Sequence, residues 1–103
     1  MSSFRDLNVW QKAYTLSLLV YSLTKKFPKD ELFSLTSQVR RCSVSIPSNM
    51  AEGHARKSKK EFAQFLYVAF GFGAELETQL QISHDLGYIK KMSMHKLSHF
   101  YMK

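Results

Sequence analysis

Apolar side chains recur every three or four residues along three long segments of the 103-residue chain, and this spacing is the strongest constraint on its fold. Steps of three and four place side chains on one face of an α-helix. We therefore predict a first helix from Asn8 to Phe27, stopped by Pro28. Its inward stripe is Val9, Ala13, Leu16, Val20, Leu23 and Phe27. A second apolar stripe predicts that the helix is covered on two sides; it comprises Trp10, Tyr14, Leu18 and Tyr21.

The second segment, from Asp30 to Gly53, contains a proline. Pro47 lacks an N–H and should clash with the Ser43 carbonyl, four residues earlier. The apolar stripe nevertheless keeps its phase across the proline, which predicts one helix kinked at Pro47, with Gly53 as the residue that ends it. Ser43, Ser45 and Ser48 are expected to bond the carbonyls freed by the kink. The stripe is Leu32, Leu35, Val39, Cys42, Ile46 and Met50.

The third helix is predicted from Lys59 to Leu86. Ser58 and Glu61 have the spacing of a capping box, and Gly87 supplies the C-cap. Small residues inside the helix, Gly71 and Gly73, are expected to allow close approach of a neighbouring helix. The aromatic residues are predicted to be core and not a base-stacking platform; they are Phe62, Phe65, Tyr67, Phe70 and Phe72.

A fourth, short helix is predicted from Ser93 onward. Three long helices and a short one, with short connections, predict an all-α fold: an antiparallel up-and-down four-helix bundle with a kinked second helix and a shortened fourth helix. Residues 1–103 are expected to form a single domain.

The charge balance predicts an anionic partner. The chain has fifteen Lys and Arg against eight Asp and Glu, for a formal net charge of +7. Nucleic acid is the first expectation and acidic membrane the weaker one, since the apolar faces are needed for the core. The longest apolar stretches fall far short of the ~20 residues needed to span a bilayer. The lone Cys42 and the charged N-terminus predict a cytoplasmic protein. We expect no membrane among its partners.

Basic residues cluster between positions 40 and 60, with Glu52 as the one acid among them. The helix connection should bring four of them together at one pole, where they would contact phosphate; the alternative is a solvated turn. Arg40 and Arg41 have two interpretations, nucleic-acid contact or ion pairs with Glu75, Glu77 or Glu52. The candidate nucleic-acid-binding residues are Arg56, Lys57, Lys59, Lys60, Arg40 and Arg41.

The sequence offers no catalytic arrangement. His95 and His99 have a helical metal-ligand spacing but no third ligand nearby, so no metal is expected. The serines around Pro47 have no His-Asp arrangement to activate them. We therefore predict a non-enzymatic protein without cofactors.

Three blocks of the sequence resemble a known family: "FRDLNVWQKAYTL", "LTSQVRRCSVSIPSNMAEGHARKSKKEFAQFLYVAFG" and "AELETQLQISHDLGYI". They are similar to the bacterial four-helix-bundle proteins encoded in intervening sequences of 23S ribosomal RNA genes. The resemblance covers Phe4 to Ile89 and implies a homopentamer. A related branch, the accessory proteins of diversity-generating retroelements, binds nucleic acid and a reverse transcriptase. Only fourteen residues follow Ile89, where the family usually has a full fourth helix, so part of an apolar groove should be exposed.

Two functions are compatible with these observations. The first is a homo-oligomer that binds the backbone of RNA or DNA non-specifically, with a reverse transcriptase or RNA-processing protein as a further partner. The second is a structural assembly module that binds protein and not nucleic acid.

Overall fold

The computed structural model describes residues 3–100, which form four α-helices and no strand. They are α1 (Asn8–Thr24), α2 (Leu35–His54), α3 (Lys59–Asp85) and α4 (Lys91–Ser98), and short 3₁₀ turns occupy Phe4–Asp6 and Lys29–Glu31. The all-α prediction is confirmed. The first helix ends three residues before the predicted Phe27, and α2 begins five residues after the predicted Asp30.

The core lies where α2 packs against α1 and α3. In α1 and α2 the central part of each predicted stripe is buried, while Val9 and Leu32, at the stripe ends, are exposed; α3 contributes Ala69, Leu76 and Leu80. Leu32 falls outside α2 because the helix starts later than predicted. The most completely buried side chains are Val20, Val39, Leu76, Leu80, Leu97, Ser43 and Ser83.

Pro47 is buried inside α2, which is helical on both sides of it. Because proline has no N–H, the Ser43 carbonyl loses its normal helical donor. The buried Ser17 hydroxyl of α1 donates to that carbonyl at 2.8 Å. The prediction that serines of α2 perform this role was wrong: Ser43 donates to the Arg40 carbonyl and Ser45 to the Arg41 carbonyl.

Gly53 has a different role from the predicted one. It lies within α2, which continues to His54. A Cβ at Gly53 would stand 2.5 Å from the Cβ of Phe65 on α3, so the glycine permits close approach of the two helices. We predicted that Gly71 and Gly73 allow close approach of a neighbouring helix. That prediction was wrong within the chain, because a Cβ at either would meet nothing within 4 Å.

Both predicted caps of α3 are present. The Ser58 Oγ accepts the backbone N–H of Glu61 at 3.1 Å. At the other end, Gly87 has φ +88°, and its N–H bonds the His84 carbonyl while the next N–H bonds the Ser83 carbonyl. This pair of bonds is a Schellman motif, in which glycine takes the left-handed position.

Tyr88, in the connection between α3 and α4, contacts two residues of the connection between α1 and α2. Its ring packs on Phe27 at 5.3 Å, and its hydroxyl donates to the Glu31 carboxylate at 2.9 Å. The hydrogen bond to Glu31 raises the pKa of Tyr88. The α3–α4 connection is thereby fixed beside the α1–α2 connection.

The fourth helix is short, as predicted, and begins at Lys91, two residues before the expected Ser93. Leu97 is its fully buried residue. Beyond its end lies an apolar cleft of about 460 Å³, walled by α1 and α3 and floored by Ile46 and Met50 of α2, with Phe100 on its border.

The prediction that all five aromatics of α3 belong to the core was wrong for two of them. Phe62, Phe65 and Phe72 are half-buried. Tyr67 and Phe70 remain 73% and 54% exposed, and Phe70 lines the open cleft between α1 and α3. Within residues 3–100, no helix is both long enough and apolar enough to cross a membrane.

Candidate nucleic-acid interface

The turn between α2 and α3 carries the predicted basic cluster. α2 ends at His54 and α3 begins at Lys59, so only four residues separate the helices. Their side chains and those of the first turn of α3 are exposed. The structure thus brings together four cations at one end of the molecule, and we name this surface the basic pole: Arg56, Lys57, Lys59 and Lys60.

Packing beneath the basic pole holds its position. Gly53 lies against Phe65, as described above, and the His54 ring meets Phe62 edge-on at 5.8 Å. Ser58 fixes the first turn of α3 through its bond to Glu61. The backbone that carries the cations is therefore anchored to the α2–α3 interface on both sides of the turn.

Arg56 is the most constrained of the four cations. Its Nη2 lies 3.1 Å from the Glu52 carboxylate, one turn earlier in α2. Its guanidinium also covers the Phe65 ring at 5.0 Å from the centroid. Both members of the ion pair are about half exposed, so water screens the attraction and it contributes little to stability.

The three lysines of the basic pole make no ion pair within residues 3–100. Lys59 and Lys60 occupy the first turn of α3, where the helix dipole presents partial positive charge. Lysines there oppose the dipole and weaken the helix slightly. The first backbone N–H groups of a helix also lack intrahelical partners. The lysines and the helix end together favour binding of an anion.

Arg40 and Arg41 lie fourteen and thirteen residues before the end of α2 at His54, a separation of about 20 Å along the helix axis. The structure does not bring them into the basic pole. Arg40 is half-buried: its Nε donates to Thr24 Oγ1 at 2.7 Å, and its guanidinium lies 4.9 Å from the Tyr21 ring centroid. Arg41 is exposed.

The ion pairs predicted for these arginines with Glu75, Glu77 or Glu52 are absent from the described part of the chain. Arg40 instead joins α2 to α1. Sequence reasoning missed Thr24 as its partner. The available signal was the position of Thr24, four residues after Val20, which puts a polar residue in phase with the apolar stripe.

The other candidate chemical groups remain isolated. His95 and His99 have ring centroids 5.3 Å apart, and no group of three potential metal ligands occurs within residues 3–100. The Cys42 thiol is buried and donates to the Phe72 carbonyl. Burial, and secondarily the Glu75 carboxylate, raise the pKa of Cys42 to about 11, so the thiol is protonated and unreactive at neutral pH.

Fold and surface together define an all-α protein with a cluster of exposed cations at the tight turn between its two longest helices. The chain belongs to the 23S rRNA-intervening sequence protein family, whose sequence model matches residues 5–102. No curated protein matches the chain in sequence.

Proposed function

We propose that this protein binds the phosphate backbone of nucleic acid, non-specifically, through the basic pole. The single observation that carries the proposal is the position of Lys59 and Lys60. Both cations stand in the first turn of α3, where they cost helix stability, and neither has an ion-pair partner among residues 3–100. Arg56 and Lys57 add to the positive field a few residues away.

The proposal includes the way in which the chain presents this surface. The helices form an antiparallel up-and-down bundle in which α2 is kinked at Pro47, and several copies associate as a homo-oligomer, with five copies as the expected number. Repetition of the pole around an assembly raises the effective concentration of cations along a polyanion. The protein acts in the cytoplasm and without catalysis of its own. Arg40 and Arg41 contribute at most a secondary contact, since they lie far from the pole.

A second candidate function, an assembly module without nucleic-acid binding, is favoured by a different observation. Tyr67 and Phe70 are largely exposed on α3, as is typical of a surface that another protein covers. In that case the basic pole would be a solvated turn. A reverse transcriptase or an RNA-processing protein stays a predicted further partner under the nucleic-acid-binding function.

Salt dependence separates the two functions. We would measure binding of a labelled single-stranded RNA and an unrelated RNA hairpin by fluorescence anisotropy over a range of salt concentrations. For backbone binding, log affinity falls with log salt at a slope of about −0.7 per neutralised phosphate on the single strand. Replacing Arg56, Lys57, Lys59 and Lys60 with Ala should flatten this slope and weaken binding to both RNAs.

A matched control removes four cations elsewhere: Lys25, Lys26, Lys90 and Lys91 to Ala. These lysines are exposed, and the Phe27–Tyr88 contact places them together at the other end of the molecule. Both variants remove four positive charges from a chain of net charge +7. Equal loss of affinity in both variants would show that net charge and not the pole is responsible. Absence of binding by the unaltered protein near physiological salt would exclude the nucleic-acid function.

A further inference from the structure

The middle of α3 carries no charge although much of it lies in solvent. From Phe62 to Ala74 there is no Asp, Glu, Lys or Arg. A helix without charge on any side is normally enclosed by protein. Here the outward side, which we name the α3 ridge, is exposed; its members are Ala63, Tyr67, Phe70, Gly71 and Ala74, of which Phe70 and Ala74 also line the cleft between α1 and α3. Their spacing of four, three, one and three makes a continuous stripe along the helix.

A shallow groove on another face of the molecule has matching chemistry. It lies between α1 and α2, has a volume of about 430 Å³, and is lined by no charged side chain and by no residue of α3. We name it the α1–α2 groove. Its principal lining residues are Trp10, Tyr14, Leu18, Tyr21, Val44 and Pro47. This surface contains the second apolar stripe of α1, whose partner the single chain does not supply.

Charged side chains stand at the ends of both surfaces. Arg5 lies over Phe4 at one end of the groove, and Arg40 lies over Tyr21 at the other. The ridge ends at the exposed Glu75 on one side and at Lys60 and Glu61, in the first turn of α3, on the other, so the charge opposite to the arginines lies at the Glu75 end. The lengths also agree: fourteen residues separate the two glutamates, about 21 Å along α3, and the groove runs about 17 Å along α1 from Trp10 to Tyr21, with Phe4 beyond.

We propose that the α3 ridge of one copy docks into the α1–α2 groove of a second copy of this chain. Tyr67 and Gly71 enter between Tyr14, Leu18 and Val44, and Glu75 meets one of the two terminal arginines. Because ridge and groove are different surfaces of one molecule, the contact is heterologous and repeats from copy to copy, into a ring or an open chain. The inference rests on the self-association in the proposed function and is independent of nucleic-acid binding.

The exposed area is adequate for such a contact. Tyr67, Phe70 and Val68 are each about half exposed or more, and Tyr14 and Leu18 are 47% and 57% exposed. Each large side chain of this kind covers on the order of 100 Å² when half of it becomes buried. With the intervening small residues, this forms the apolar centre of an interface of about 800 Å² per partner, the usual size for a specific complex.

Charge insertion tests both surfaces. Tyr67→Arg disables the ridge and Leu18→Arg disables the groove, and both sites are exposed enough for the single chain to fold. Phe33→Arg is the matched control, because Phe33 is 92% exposed and lies outside both surfaces. Light scattering on a size-exclusion column, without nucleic acid and at micromolar concentration, should show an oligomer for the unaltered protein and the control. Each of the two interface variants should be a monomer, with helicity by circular dichroism unchanged.

Mixing the two interface variants gives the decisive result. One copy retains its groove and the other retains its ridge, so an equimolar mixture should form a dimer that contains one of each and grows no further. Self-association of Leu18→Arg alone would mean that ridges pair with each other and would overturn the proposal. A monomeric unaltered protein, or a mixture that stays monomeric, would overturn it equally.

Disulfide cross-linking tests the same contact without the insertion of a charge. Chains that carry both Leu18→Cys and Tyr67→Cys should form a ladder of disulfide-linked multimers on mild oxidation, while either substitution alone should not, since Cys42 is buried. Absence of the ladder contradicts the contact. Loss of nucleic-acid binding in the basic-pole variant with assembly intact would leave this inference standing, and the two proposals therefore fail separately.

Discussion

The Ser17 hydroxyl of α1 donates a hydrogen bond to the Ser43 backbone carbonyl of α2, with 2.8 Å between the oxygens. That carbonyl is the one that Pro47 deprives of its helical donor. Both serines are buried, so no water replaces the bond. A side chain from one helix therefore compensates a backbone defect in another, and this lets a proline remain inside the core-facing part of α2.

Replacing Ser17 with Ala should lower the free energy of unfolding by about 1–3 kcal/mol, because a buried carbonyl is left without a donor. Urea denaturation measures this loss. In a Pro47→Ala background the backbone N–H of residue 47 can bond Ser43, so the cost of Ser17→Ala should fall by at least ~1 kcal/mol. An equal cost in both backgrounds would assign the effect to the second bond of Ser17, to the Ala13 carbonyl at 3.2 Å.

Gly53→Ala should destabilise the protein by about 1–3 kcal/mol through overpacking, although alanine is the better helix former. The new Cβ would stand 2.5 Å from the Phe65 Cβ and force α2 and α3 apart. Gly73→Ala is the control: its Cβ meets nothing within 4 Å, so we expect a gain of up to ~1 kcal/mol from helix propensity. Thermal or urea unfolding reports both. A neutral Gly53→Ala would argue against the close approach of the helices.

The two adjacent arginines should differ in their effect on stability. Arg40→Ala removes the charged donor to Thr24 and the contact with Tyr21, which should cost about 1–3 kcal/mol. Arg41→Ala alters an exposed side chain and should change stability by less than ~0.5 kcal/mol. Urea denaturation of the two variants is the measurement. Similar losses of stability in the two variants would contradict the contact between α2 and α1 that we assign to Arg40.

The Cys42 thiol should make stability pH-dependent in the alkaline range. Folding raises its pKa from the ordinary 9.0 to about 11, so the folded state holds the proton more tightly than the unfolded chain. The corresponding stabilisation is complete below pH 9.0 and is lost as the pH rises through about 11. Unfolding curves of the unaltered protein and Cys42→Ala, compared at each pH, isolate this effect from other titrations.

The same thiol should alkylate slowly in the native protein at neutral pH and rapidly in denaturant, because the protonated, buried form is a poor nucleophile. Mass spectrometry after iodoacetamide treatment measures both rates. Rapid native modification at pH 7 would contradict the burial of Cys42.

The helices and the caps of α3 were predictable because their determinants are local. The three-and-four spacing fixes which side of each helix is apolar, and Ser58 and Gly87 mark the ends of α3 through bonds to neighbouring backbone. The basic pole was predictable for the same reason, since a four-residue turn keeps Arg56 and Lys59 together in any arrangement of the helices.

The roles of Ser17, Gly53 and Arg40 depended on which helices become neighbours, and spacing along one helix carries no information on that. Ser17 could be matched to Ser43 only once α1 lay beside α2, and Gly53 to Phe65 only once α3 did. The same limit explains the error over Tyr67 and Phe70: the sequence determined that the stretch of α3 from Phe62 to Ala74 carries no charge on any side, but packing decided which of its sides would be buried within one chain, and it left Tyr67 and Phe70 exposed.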